Sequence, residues 1–495
     1  VMTKNKNEAN HLETLDRDLN RLSSLELATA YVARPMVAPT VALIFVVLAG
    51  LLAMTTFGQT DHRIIVVIAA IFGAYMALNI GANDVANNMG PAVGANALTM
   101  GGAILIAAVF ESAGALIAGG DVVSTIAKGI ISPKAMSSDA VFVWAMLAAL
   151  LSAALWVNLA TWVGAPVSTT HSVVGGVMGA GIAAAGLSAV NWEKMLQIAA
   201  SWIISPVLGG IIAAGFLWFI KVKIIYRDNK ITAAKTWVPV LVGIMGGVFT
   251  SYLVLKGFKT LIKLNFSTAL SVGFVAGVAI WLVMIPIVRG QAKGLENRNK
   301  SLKKLFSIPL IASAALLSFA HGANDVANAV GPLAAIVQAT KSGDYGSVVT
   351  IPLWVMVIGA AGISFGLFLF GPKLIRVVGS QITKLNPMRA YCVALSAAVT
   401  VIVASWLGLP VSSTHIAVGA VFGVGFFREW DAARRARRQR SEIVAPLAMA
   451  KEERRRRKLV RRSHVMTILA AWIITVPAAA LLSAAIFWII QFSMR

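Results

Sequence analysis

Two short motifs occur twice in this 495-residue chain, in the same order and at nearly the same spacing. Gly81-Ala82-Asn83-Asp84-Val85-Ala86-Asn87 returns residue for residue as Gly322-Ala323-Asn324-Asp325-Val326-Ala327-Asn328. Gly90-Pro91 follows the first copy and Gly331-Pro332 the second. Further on, Pro166-Val167-Ser168-Thr169-Thr170-His171 returns as Pro410-Val411-Ser412-Ser413-Thr414-His415. The offsets are 241 and 244 residues. Two ordered matches at almost one offset are not chance, so the chain is two homologous halves. Any fold for it must place two copies of one unit.

The solvent of that fold is lipid. Hydrophobic residues make up 58% of the chain and charged residues 13%, whereas a soluble domain is about 45–50% apolar and about 25% charged. The formal net charge is +23, which in a soluble protein would suggest nucleic acid. Here Lys and Arg fall in the loops between apolar runs, as membrane orientation requires, so no nucleic-acid partner is expected. The single cysteine, Cys392, sits in an apolar run. It allows neither an internal disulfide nor a cysteine metal cluster, and reads as a packing residue.

Apolar runs predict an all-α membrane protein of about 12–13 transmembrane segments. Thirteen candidates lie near 39–57, 64–80, 101–119, 140–164, 166–187, 195–220, 236–255, 267–288, 306–321, 351–371, 391–408, 410–427 and 466–490. The stretches 221–235, 289–304 and 428–464 are basic, the last with fourteen Lys and Arg against five acids, a net of +9. With thirteen crossings and a cytoplasmic N-terminus, all three fall on the cytoplasmic side. That requires 166–187 and 410–427 to cross, or to be replaced by an equivalent pair of half-crossings. The loop 256–265, with three Lys, falls outside and is a misfit. Seven crossings, an odd number, separate the two Asn-Asp motifs. The halves therefore run in opposite directions, as two inverted repeats with broken helices and a site at the midplane.

The implied organisation is a cytoplasmic amphipathic segment at 1–38, with Leu12, Leu15, Leu19, Leu22 and Leu25 on one face, and an extra N-terminal transmembrane helix at 39–63. The first inverted repeat covers 64–220, connecting loops and helices cover 221–305, and the second repeat covers 306–490. The second repeat carries the basic cytoplasmic insertion 428–464, read as a stop-transfer segment and anionic-lipid anchor.

The motifs carry chemistry as well as symmetry. A carboxylate inside an apolar span costs about 2.5–3.5 kcal/mol on insertion scales. Asp84 and Asp325 have no Lys or Arg within ten positions, so each needs a cation or a proton. Asn amides, with backbone carbonyls freed where Gly and Pro break the helix, would complete an oxygen shell for a hard cation. An Asp serving only as a helix cap is the structural alternative, and it explains one copy better than two. The Pro-Val-Ser-(Thr/Ser)-Thr-His motif reads as a helix start. Its free N–H groups and hydroxyls make a cradle for an anion, though hydroxyls that merely bond back into a helix would look the same in sequence. Cation sites and anion cradles in both halves point to symport.

At these residues the chain resembles the inorganic phosphate transporter family, the sodium- or proton-coupled phosphate permeases. The resemblance covers roughly residues 64–490. It implies a helical transport domain against a scaffold, often as a homodimer, in a plasma or inner membrane. It implies phosphate held by Ser168, Thr169, Thr170, Ser412, Ser413 and Thr414. Cations would lie near Asn83, Asp84, Asn87, Asn324, Asp325 and Asn328, with Na+ expected at Asp84 and Asp325. His171 and His415 close the motif and shape it. Glu111 matches a membrane glutamate important in the family and is a coupling candidate. The stretch aligned to it in the second half, Ile358–Ile363, has no acid.

The expected partners are thus inorganic phosphate, a coupling cation (Na+ or H+) and the lipid bilayer, with no further cofactor. Three other readings stay open at the level of sequence. A sulfate permease of the same family would use the same anion cradle. An intramembrane hydrolase could draw on Ser168 or Ser412 with His171 or His415, but nucleophilic catalysis needs one asymmetric constellation rather than a duplicated set. A channel or sensor would show no gradient-driven accumulation.

Overall fold

A chain this apolar can satisfy its backbone in lipid only by folding into helices or a closed barrel, and the helical answer is the one found. In this computed structural model the described residues are 36–58, 62–163, 167–257, 265–342, 351–377, 385–440 and 462–493. Among them the only bridge between extended segments is an isolated one, Ile131 to Val190. Helices α1 (Met36–Thr56), α2 (Arg63–Asn83), α3 (Val85–Gly94) and α4 (Met100–Ala118) open the chain. A short α5 (Gly120–Ser124) widens into a π-turn, and α6 (Asp139–Val163), α7 (Thr169–Ala185) and α8 (Trp192–Ile220) follow. A hairpin of α9 (Lys230–Gly257) and α10 (Phe266–Gln291) leads into α11 (Asn299–Leu305) and α12 (Ser307–Ser342). The last four are α13 (Leu353–Val377), α14 (Pro387–Trp406), α15 (Ser413–Arg440) and α16 (Arg462–Ser493). The amphipathic segment expected in 1–38, Pro166, most of the 256–265 loop and the core of the basic insertion lie outside the described residues.

Among the described residues ten helices are long and apolar enough to cross a membrane, and the pair α11–α12, bent by 49°, makes an eleventh if it counts as one span. The chain is a multi-pass membrane protein. The two remaining expected segments, 166–187 and 410–427, coincide with α7 and the first half of α15. At 17 residues α7 is about 25 Å long, short of the roughly 30 Å hydrocarbon core. Both helices start inside the protein from short extended stretches, Val167–Ser168 and Leu409–Ser412.

Packing links the halves. Helix α2 lies on α13 and α12 on α4, while α7 lies on α16 and α15 on α8. The motif glycines set the first two contacts. A Cβ on Gly81 would collide with the carbonyl oxygen of Ile363, and one on Gly322 with that of Glu111. This corrects two sequence expectations. The position matching Glu111 in the second half is Ile363, four residues beyond the gap-free alignment to Gly359. The glycines also serve close helix approach rather than helix breaking. Only the first motif is interrupted, between α2 and α3 at Asp84, whereas α12 runs unbroken through Asp325 and Pro332. A proline removes one backbone bond, and α12 continues as helix across it.

At the far end of α8 and α15 a charged cluster closes the bundle. Lys221 Nζ lies 2.7 Å from Asp431 Oδ2, and the Tyr226 hydroxyl donates to the same oxygen at 2.5 Å. The Arg435 guanidinium sits 3.2 Å over the Tyr226 ring centre. Partial burial pushes the Asp431 carboxyl up, but the bonds from Lys221 and Tyr226 and the Lys221 charge outweigh it. Asp431 is held below the usual carboxylate range.

Candidate functional site

The stretches before α7 and α15 end on the residues that cap those helices. Ser168 Oγ accepts from His171 N at 3.2 Å, and Ser412 Oγ accepts from His415 N at 3.3 Å. Side-chain caps of this kind stabilise a helix start by about 1 kcal/mol. They leave the first backbone N–H groups of each helix, at Thr169–Thr170 and Ser413–Thr414, without intrahelical acceptors. The two starts face each other: the His171 and His415 ring centres are 4.6 Å apart, edge to face, and the Trp202 ring lies tilted against His171 with centres 3.9 Å apart.

The Asn-Asp motifs hold these starts in place by hydrogen bonds that repeat across the halves. Thr169 Oγ1 donates to Asp84 Oδ2 at 2.8 Å, and its counterpart Ser413 Oγ donates to Asp325 Oδ2 at 3.2 Å. Asn87 Nδ2 donates to Thr414 Oγ1 at 2.9 Å, and its counterpart Asn328 Nδ2 to Thr170 Oγ1 at 3.2 Å. Each of these Asn bonds joins one half to the other. Thr414 Oγ1 also donates to Asp84 Oδ1 at 3.2 Å. Asn83 donates to the Val167 carbonyl, and Asn324 holds the second extended stretch through Leu409 O and Val411 N.

All twelve residues expected at the site therefore come together, along with both histidines. Asp84 and Asp325 are 2% and 1% exposed, so a carboxylate there has no bulk water to solvate it. Neither is used as a helix cap: Asp84 makes no side-chain cap bond, and Asp325 lies mid-helix. The hydroxyls of Thr169 and Ser413 are committed to the carboxylates. An anion between the helix starts would then meet backbone N–H groups first and hydroxyl oxygens second.

Sequence reasoning missed three groups here. His321 Nδ1 lies 2.6 Å from Glu111 Oε2, and His321 Nε2 lies 2.7 Å from Asp325 Oδ2. Asn88 Nδ2 donates to Glu111 Oε1 at 2.9 Å. All are buried. Glu111, read as a lone coupling carboxylate, is thus joined through His321 to the second motif. The i, i+4 spacing of His321 and Asp325 on one helix was a readable signal. Ser405, which accepts from Asn324 Nδ2 at 3.0 Å, gave none.

Comparison with known proteins identifies the family. A family model described as the phosphate transporter family matches residues 80–483. A Helicobacter pylori protein named "Putative phosphate permease" is 47% identical, with 95% of this chain and 98% of that protein covered. The Arabidopsis thaliana protein "Inorganic phosphate transporter 2-1, chloroplastic" is 35% identical over 85% of this chain and 71% of its own length. A solved structure titled "The sodium-dependent phosphate transporter" superposes with a TM-score of 0.77 at 37% identity, covering 86% of this chain and 99% of that one. These relatives are permeases and transporters rather than enzymes, which sets the hydrolase reading aside. With the model spanning most of its length and both duplicated motifs, this chain belongs to the phosphate transporter family.

Proposed function

We propose that this protein imports inorganic phosphate by symport with a cation, through alternating access of two inverted halves. The observation that carries the reading is the paired hydrogen bonding of anion cradle to carboxylate, Thr169 to Asp84 and Ser413 to Asp325. A cation at either carboxylate and an anion at the adjacent helix start would share these hydroxyls. Each charge lowers the cost of bringing the other to the membrane interior. Anion affinity then depends on the bound cation, because no Lys or Arg lies in either motif. The expected phosphate ligands are Ser168, Thr169, Thr170, Ser412, Ser413 and Thr414. The expected cation ligands are Asn83, Asp84, Asn87, Asn324, Asp325 and Asn328.

Na+ is the proposed coupling ion: the similar solved structure is titled sodium-dependent, and oxygen donors dominate around Asp84. Phosphate is favoured over sulfate because phosphate near neutral pH can donate a hydrogen bond to a carboxylate and sulfate cannot. We place the protein in a plasma or inner membrane with a cytoplasmic N-terminus, as a homodimer. Uptake of labelled phosphate into proteoliposomes, with a tenfold excess of sulfate as competitor, tests the substrate. Undiminished uptake supports phosphate; uptake abolished by sulfate assigns the cradle to sulfate.

A further inference from the structure

Between α14 and α15 the chain carries four consecutive backbone carbonyls that lie outside both helices, Gly408 to Val411. A side chain from another element donates to each of them. Thr125 Oγ1 donates to Gly408 O at 2.7 Å, Asn324 Nδ2 to Leu409 O at 3.1 Å, Trp202 Nε1 to Pro410 O at 3.0 Å and Thr170 Oγ1 to Val411 O at 3.0 Å. Asn324 and Thr170 belong to the duplicated motifs. Thr125, which opens the π-turn after α5, and Trp202, on α8, belong to neither.

The local chain explains why those donors are needed. Gly408 closes α14 in the left-handed conformation, at φ 65°, with its N–H on Ser405 O and the Leu409 N–H on Ala404 O, a helix ending that glycine permits. The chain then runs without helical bonds to Ser412, so its carbonyls must find partners elsewhere. An anion at the start of α15 is attracted by free N–H groups and repelled by carbonyl oxygens, which only accept. Engaging every carbonyl of the approach with a side-chain donor leaves the N–H groups to dominate. Trp202 is also part of the duplicated frame. A Cβ on Gly419 would collide with Pro206 O and one on Gly423 with Gly210 O, just as Gly175 meets Val476 O and Gly179 meets Ala480 O. That register matches Pro206 with Val476, and Trp202-Ile203-Ile204 with Trp472-Ile473-Ile474 of α16. An indole at this position therefore recurs with the helix starts themselves.

We propose that Thr125 and Trp202 are positioning residues of the second anion cradle. They hold Gly408 O and Pro410 O so that the start of α15 presents N–H groups, not carbonyl oxygens, to a tetrahedral oxyanion. The inference rests on the reading of that helix start as an anion site. Trp202 serves both starts, because its N–H holds the approach to α15 while its ring lies against His171 of α7.

The test uses three variants of the full-length protein. Trp202→Phe keeps a ring beside His171 and removes the N–H. Thr125→Val keeps the shape and removes the hydroxyl, and Thr125→Ser restores it. Equilibrium binding of labelled phosphate in detergent gives Kd, and uptake into proteoliposomes gives KM and maximal rate. Trp202→Phe and Thr125→Val should each raise Kd and KM about 2–10-fold, the loss of one neutral hydrogen bond, with the maximal rate within about twofold of wild type. Thr125→Ser should recover the wild-type Kd. A merely structural role would lower the maximal rate through loss of folded protein and leave KM unchanged. Wild-type Kd in Trp202→Phe and Thr125→Val, a fall in maximal rate alone, or equal impairment of Thr125→Ser and Thr125→Val would overturn the proposal. If Trp202→Phe does not fold, the two Thr125 variants decide. A wild type that binds labelled sulfate and not phosphate fails the substrate reading alone, and the variants are then scored on sulfate. A wild type that binds neither overturns both.

Discussion

Ser112 Oγ and Ser364 Oγ lie 2.8 Å apart, and the two serines occupy the same position in the two halves. Each follows the residue, Glu111 or Ile363, whose carbonyl oxygen receives a motif glycine of the other helix. Ser364 Oγ also donates to Ala108 O at 3.2 Å, so Ser112 is the donor in the shared bond. A side chain bonded to its own counterpart joins the two halves at equivalent positions.

Because the two serines share one bond, their removal is not additive. Ser112→Ala and Ser364→Ala are each expected to lower stability by about 0.5–1.5 kcal/mol. The double variant should cost less than the sum, with Ser364→Ala alone retaining the small extra loss from Ala108. Thermal unfolding of the four proteins in detergent checks the cycle; strict additivity would mean the bond contributes nothing.

The helix contacts at Gly81 and Gly322 leave no space for a Cβ against the facing backbone. Gly81→Ala and Gly322→Ala should each destabilise by about 1–3 kcal/mol or more, because backbone cannot move aside as a side chain does. The readout is the yield of monodisperse protein and its melting temperature. Wild-type behaviour of both variants would disprove the close approach of α2 to α13 and of α4 to α12.

Asp84→Asn and Asp325→Asn keep the size of the side chain and an oxygen for Thr169 or Ser413 to bond, but remove the charge. Both variants should fold and lose phosphate accumulation by at least about tenfold, if each carboxylate contributes a charge-assisted contact of about 1.5–3 kcal/mol. Near-normal uptake in either variant would remove that residue from the cation site.

The Asp431 cluster makes a prediction with a sign. A carboxyl held below its ordinary value stabilises the folded state above the unfolded value, near 3.9, and that stability is lost as pH falls through the folded value. Asp431→Asn should therefore be less stable than wild type by about 1–2 kcal/mol at neutral pH. The gap should be full above about pH 5 and fade below about pH 4. A gap that grew on acidification would contradict the assignment of Lys221 and Tyr226 as its partners.

Much of this was legible in the sequence for physical reasons. Every one of the thirteen expected segments meets a helix, because a long apolar run in lipid has no other way to satisfy its backbone. That the candidate residues cluster was legible because each motif appears twice, so a chance match in one half would not recur in the other. Where the reading failed, the cause was distance along the chain. Glu111 and His321 are 210 residues apart, and no local pattern announces such a pair. The counterpart of Glu111 was misplaced by four residues because small residues around Gly359 and Gly362 fit either register. The break expected at Asp325 did not occur because tertiary packing can override local propensity and keep a segment with Gly and Pro helical.

The most direct test of the account is uptake of labelled phosphate into proteoliposomes under an imposed Na+ gradient, compared with an imposed H+ gradient of equal size. The account predicts accumulation above equilibrium with the Na+ gradient, its loss when Na+ is replaced by choline, and none with Asp84→Asn. Accumulation driven only by H+ would keep the symport mechanism and replace its ion. Equilibration without accumulation under either gradient would contradict symport and make the protein a channel.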